Sequence, residues 1–178
     1  MPDMTVFSRP VRTVSVALPG TFDEAVAAFE RAAPHLDPDA FAHEVRTAGD
    51  WEEIAEWTAQ HAPHGFLVYV KNDVRPLMGR AGDPARAIAY LLGNHVTAEK
   101  MFRLDPRVMI YAPLRVALTH VDGEPVLFTA DVPSDLFGGY GVEAITDVAR
   151  GLDRSLAALL ELLGAEVPAE LVWSAVSA

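Results

Sequence analysis

Val108-Met109-Ile110-Tyr111-Ala112-Pro113-Leu114-Arg115-Val116-Ala117-Leu118-Thr119-His120-Val121-Asp122-Gly123-Glu124-Pro125-Val126-Leu127-Phe128-Thr129-Ala130 is the stretch that decides the fold. Two apolar, β-branched runs, Val108–His120 and Pro125–Ala130, flank an Asp-Gly pair, the strongest short-range signal for a β-hairpin. Adjacent antiparallel strands therefore lie at the centre of the reading. Pro113 has no amide to donate to a ladder, so its position is expected at a sheet edge or a bulge.

Working outward, Arg86–Leu92 reads as a strand after the Gly82-Asp83-Pro84 turn, and Gly65–Lys71 as another before Asn72-Asp73. Between Leu92 and Val108, Asn94 is placed to cap a helix spanning His95–Arg103, closed by Asp105-Pro106. Val11–Leu18 reads as the first strand. Thr21-Phe22-Asp23-Glu24 then fits a capping box opening a helix that Pro34 ends. A further helical segment is expected over Asp37–Thr47. Asp50-Trp51-Glu52-Glu53 opens one more, running to about His61, with its tryptophans expected in the core. Beyond a loop at 131–141, Ile145, Ala149, Leu152, Leu156, Leu159 and Leu163 recur every three or four residues, a sustained apolar stripe on a long final helix. With the Asp37–Thr47 segment left out, the order β-α-α-β-β-α-β-β-α predicts an α+β fold, an antiparallel sheet with helices packed on one face, in a single domain over residues 1–178.

The chain has 178 residues, 51% hydrophobic and 22% charged, enough to bury a core without a metal or disulfide. No cysteine is present, which excludes thiolate metal sites and cysteine nucleophiles. A net charge of −11 argues against a nucleic-acid or anionic-membrane partner. The charge is uneven. Residues 61–120 carry eight basic and four acidic side chains, whereas the flanking segments carry four and eleven, and two and ten. Charge pairing across the fold or solvent exposure accounts for this pattern, and so does a local site for an anionic ligand. No signal-peptide pattern opens the chain and no apolar run approaches the roughly 20 residues of a membrane span, so a cytoplasmic protein is expected.

The stretch Tyr90-Leu91-Leu92-Gly93-Asn94-His95, with Ala98, Met101, Asp105-Pro106, Ala112-Pro113-Leu114-Arg115-Val116, Asp122-Gly123 and Asp131-Val132-Pro133-Ser134, resembles the bacterial and archaeal family called domain of unknown function 302. In that family a glycine-asparagine pair, often followed by proline, opens a helix, and a proline-leucine-arginine or proline-leucine-lysine step begins the next strand. The resemblance is best over Gly65–Ser134. His95 stands where proline is frequent, and extra helical sequence lies between Pro38 and His61. The resemblance implies a TATA-binding-protein-like outline and a homodimer; it implies no reaction. The apolar Val108–Leu114 run, read as an edge needing cover, points to a homodimer as well.

No motif for a nucleotide, cofactor or metal is present. Gly138-Gly139-Tyr140-Gly141 lacks dinucleotide-loop spacing and reads as a flexible loop or lid, while His61 and His64 lack a third ligand. The strongest constellation is Asn94, His95 and Arg115: a helix start that favours an anion, a group that titrates near neutrality, and a bidentate anion ligand. Capping, solvation and ion pairing explain the same three residues separately. The candidate ligand-binding set is Asn94, Arg115, Tyr90, Tyr111 and Asp131, with His95 as the candidate acid–base group. Tyr90, Tyr111 and Tyr69 fall on neighbouring strands, where alternating aromatics more often pack than wall a ligand, and Asp131 is also an acid able to pair with Arg115. Two functions follow as expectations. One is a small-molecule-binding module with an apolar pocket and an anion-binding mouth. The other is a cofactor-independent isomerase, cyclase or lyase using His95 as acid or base and Arg115 as substrate clamp. A purely structural dimer is a third reading.

Overall fold

The hairpin forms as its turn chemistry dictates, in a computed structural model that describes residues 9–172. Strands β4 (Leu114–His120) and β5 (Val126–Asp131) pair antiparallel, with Val116 opposite Ala130 and Thr119 opposite Leu127. Gly123 supplies the positive φ of the turn, 87°, which a side chain would strain. Strand β3 (Arg86–Gly93) lies along the other side of β4, and β2 (Leu67–Asp73) along β3. Strand β1 (Thr13–Leu18) closes the far side of β5, giving the antiparallel order β1-β5-β4-β3-β2.

Pro113 is neither at an edge nor at a bulge. It stands one residue ahead of β4, the middle strand, in a cis peptide bond with Ala112. The first part of the run read as strand is instead a 3-10 turn, Pro106–Ile110, because Asp105 accepts the Arg107 amide and Pro106 fixes the turn's first φ. The irregularity lies on β2, where Val68 pairs with Leu92 and Val70 with Leu91, leaving Tyr69 as the extra residue of a bulge.

Alternation along each strand divides the sheet into two unlike faces. Val14, Val16 and Leu18 on β1, Ile88, Tyr90 and Leu92 on β3, Leu114, Val116 and Leu118 on β4, and Val126, Phe128 and Ala130 on β5 are all buried on one of them. Helices α1 (Phe22–Ala32) and α7 (Glu143–Leu162) share this face's core. The capping box of α1 is complete: Thr21 Oγ1 accepts the Glu24 amide and Glu24 Oε2 accepts the Thr21 amide. Helix α7 buries Ile145, Ala149, Leu152, Leu156 and Leu159 as its stripe predicted, each leucine contributing about 1.5–3 kcal/mol relative to exposure.

Helices α2 (Pro38–Thr47) and α3 (Trp51–His61) form an excursion with little core of its own. Helix α2 buries no residue, and α3 buries Ile54 and Thr58. Trp51 is 41% exposed and Trp57 stacks on His61, ring centroids 3.8 Å apart, so neither tryptophan fills the core. Two short helices are not expected from the sequence: α4 (Arg75–Arg80), and α6 (Pro133–Gly138), where Ser134-Asp135 reads only as a helix-start or turn pair within a loop. The second occupies most of the predicted 131–141 loop. Its N-terminal cap comes from afar, since the fully buried Asp153 on α7 accepts the Ser134 amide at 3.0 Å. Helix α5 (His95–Phe102) follows β3 directly. Among the described residues no helix is long and apolar enough to cross a membrane.

Candidate ligand-binding site

Where β3 ends and α5 begins, the structure forms a half-open cavity of about 260 Å³. Leu92 and Gly93 from the end of β3, Ala98 and Met101 from α5, Leu114 from the start of β4, and Phe137 and Leu152 from α6 and α7 line it. Met109, Ala112 and Pro113 form another wall, and Tyr69 enters from the bulge on β2. Gly93 is where the approach is tightest: a Cβ there would come within 3.1 Å of the Tyr69 ring and 3.4 Å of Pro113.

Asn94 begins α5 and is consumed in doing so. Its Oδ1 accepts the amides of Val96 and Thr97 at 2.9 and 3.2 Å, and its Nδ2 donates to the Gly65 carbonyl at 3.2 Å. His95 lies flat against Phe41 of α2, ring centroids 4.1 Å apart and 1° from parallel, and meets Tyr69 edge-on at 4.9 Å. Its Nε2 is sealed from solvent without a hydrogen-bond partner. Burial therefore lowers the His95 pKa below the ordinary imidazole value, and burial likewise raises the Tyr69 phenol. Both are uncharged at neutral pH, and no lysine, arginine, aspartate or glutamate lines the cavity.

The other sequence candidates go elsewhere. Leu114 faces the cavity, so Arg115, the next residue on the strand, faces the opposite side of the sheet. Asp131 lies on that same outer face, where its Oδ1 accepts the Thr13 hydroxyl at 2.6 Å. The expected convergence of Asn94, His95 and Arg115 on one anion does not form, and Arg115 cannot clamp a substrate held beside His95. Tyr90 is a core residue whose hydroxyl donates to Glu30 Oε1 at 2.8 Å, an oxygen also 2.6 Å from Lys71 Nζ. Burial, then the Glu30 carboxylate, raises its pKa. Tyr111 packs edge-on to Phe137 and lies under the Arg9 guanidinium at 4.6 Å. The 138–141 segment is likewise anchored: Tyr140 donates to the Arg107 carbonyl at 2.7 Å and Arg9 lies over its ring. It is no lid.

Among the described residues no group of three or more potential ligands could hold a metal ion. His61 Nδ1 lies 2.8 Å from the Trp57 carbonyl, within its own helix. Sequence reading missed Phe41, Met109 and Phe137, and it set Tyr69 aside as strand packing. Only Leu152 carried a signal, as part of the apolar stripe; the bulge that turns Tyr69 inward and the helix that presents Phe137 both depend on distant partners.

Comparison with known proteins agrees with this architecture. The family described as "Domain of unknown function DUF302" matches residues 43–163. A crystal structure of an uncharacterized conserved protein of that family from Bacillus stearothermophilus superposes with a TM-score of 0.61 at 14% identity, covering 85% of this chain and 97% of the other. At that identity the likeness concerns the fold. No curated protein matches.

Proposed function

The chain belongs to the DUF302 family, and from that premise we propose that it is a binding module for a small, uncharged, largely apolar molecule held in the cavity at the start of α5. The observation that carries this reading is the character of the wall: carbon on nearly every side, no charged group, and an asparagine whose polar atoms are already spent on its own helix and on Gly65. A cavity of about 150 Å³ lined by aliphatic and aromatic side chains stays dry and accepts benzene. The space here, about 260 Å³, suits one or two rings. His95, Thr97 and Tyr69 supply the remaining polar atoms of the lining, and His95 is the one with a buried, unpartnered nitrogen. Its unpartnered Nε2 costs about 1–3 kcal/mol, which a ligand hydrogen bond would offset once the Phe41 or Tyr69 ring shifts to admit it. A catalytic His95 has less support, because among the described residues no carboxylate or carbonyl orients its ring.

Calorimetric titration with indole and with benzoate tests the reading. Indole is expected to bind with a millimolar or tighter Kd and benzoate not to bind, since a carboxylate would be desolvated without a partner. Ala98→Phe, which fills the cavity, and Met109→Trp, at its exposed rim, should each abolish the indole signal while circular dichroism stays unchanged. Absence of indole binding, or binding indifferent to both substitutions, overturns it.

A further inference from the structure

Between Phe102 and Ile110 the chain leaves four large apolar side chains in solvent within nine residues. Phe102 and Leu104 are 47% exposed, Met109 48% and Ile110 76%. Elsewhere among the described residues such side chains stand singly or in pairs along the chain. Scattered apolar residues on a surface need no explanation, whereas a contiguous group marks a contact surface. The end of α5 and the Pro106–Ile110 turn form this tip, and it is firmly held. Met101 and Val108 anchor it in the core, and the Asp105 amide donates to the Met101 carbonyl at 3.0 Å. Charge is arranged around it. Arg103 pairs with Glu99 and Arg107 with Asp105, but the arginine side chains are 61% and 64% exposed while the acids are 28% and 11% exposed. The tip therefore presents its cations outward and tucks its carboxylates in. Lys100 is exposed on the same helix, and beside Ile110 the Arg9 guanidinium lies over the rings of Tyr111 and Tyr140.

We propose that this tip docks the protein on an anionic lipid surface, from which the apolar ligand enters the cavity. Apolar side chains bordered by arginine, lysine and tyrosine are the composition of a peripheral membrane contact, with the cations and phenols at headgroup level and the hydrocarbon below it. Insertion of this kind is shallow, about 5–10 Å. The net charge of −11 opposes an anionic surface, but residues 99–113 carry three basic and two acidic side chains, and lipid charge acts over a Debye length of only about 8 Å. What the tip presents thus outweighs the acids carried elsewhere. Met109 belongs to both features, exposed on the tip and part of the cavity wall, so a molecule dissolved in the bilayer meets the cavity where the tip inserts. Delivery to the cavity rests on the proposed binding function; docking does not.

Flotation of the full chain with vesicles of phosphatidylcholine containing about 30% phosphatidylserine, without indole, tests this. The native chain is expected to float with them, to bind pure phosphatidylcholine about tenfold more weakly, and to bind less as salt rises. Phe102→Asp combined with Ile110→Asp should lower vesicle binding at least tenfold, with circular dichroism and indole affinity unchanged, because neither residue lines the cavity. Lys100→Glu combined with Arg103→Glu should weaken binding to the anionic vesicles alone. Leu77→Asp, at an exposed apolar position on α4, is the control expected to bind as the native chain does. A native chain that stays unbound, equal binding to neutral vesicles, binding indifferent to the Phe102→Asp and Ile110→Asp pair, or an equal loss in Leu77→Asp overturns the proposal. So does self-association in sedimentation that Ile110→Asp abolishes without any vesicle binding, since the tip would then meet a second copy. Vesicle binding is read in the absence of indole, so failure of the cavity reading leaves its outcome intact.

Discussion

The two faces of one sheet have taken opposite roles, and strand parity alone assigned them. On the inner face Leu114, Val116 and Leu118 are all buried in the core shared with the helices; on the outer face, interleaved with them, Arg115 is exposed and Ala117 and Thr119 are half-buried beside their cross-strand neighbours. Asn94 and His95 reach the inner side because α5 leaves the end of β3 there, beside Leu92 and Leu114. The polar residues that looked like one site in the sequence are thus divided by the thickness of a backbone. The cavity and the outer face that carries Arg115 and Asp131 are separate pieces of chemistry.

The sharpest contrast between the faces should be in stability. Leu156→Ala, fully buried under the inner face, is expected to lower the unfolding free energy by about 2–5 kcal/mol in urea denaturation. Leu127→Ala on the outer face, measured at low micromolar concentration, should cost less than about 1 kcal/mol. Equal costs would break the division. Tyr90→Phe tests the polar part of the inner face. Removing the hydroxyl that donates to Glu30, while Lys71 still serves that carboxylate, should cost about 1 kcal/mol.

His95 offers a pH test confined to the cavity side. Burial holds its folded pKa below the ordinary value of about 6.5, so the folded state favours neutral imidazole and the unfolded chain takes up the proton first as pH falls. The stabilisation is fully present above about 6.5 and erodes as pH drops from there toward the folded pKa. The wild type should therefore lose more stability than His95→Phe between pH 7.5 and 5.5. Asp73 and Asp135, whose pKa values their arginine partners lower, lose their contributions only in the more acidic range below their ordinary values. An identical pH slope in the two proteins would mean that His95 is not desolvated. The smallest expected effect is that of Arg115→Ala, which should change monomer stability by less than about 0.5 kcal/mol and leave indole affinity untouched.

What the sequence disclosed was whatever its own neighbours determine. The Thr21–Glu24 capping box, the Asn94 cap, the Asp122-Gly123 turn and the apolar stripe from Ile145 to Leu159 are patterns within a few residues, and each formed as read. The five strands and their antiparallel pairing followed from the hairpin and the family likeness. Long-range partners set the rest. Helix α6 is capped by Asp153, 19 residues away, and Tyr69 turns toward the cavity because β2 slips by one residue against β3. Period-two alternation already separated Arg115 from Leu114 and Val116. It could not say on which side α5 would bring Asn94 and His95, and that choice decides which residues can share a ligand.

The most direct test of this division is an ¹H–¹⁵N NMR titration of the chain with indole. Shifts are predicted at Tyr69, Gly93, His95, Ala98, Met101 and Leu114, with Ala117 and Thr129 unmoved. Shifts centred on Arg115, Ala117 and Thr129, or no saturable shifts at all, would contradict it.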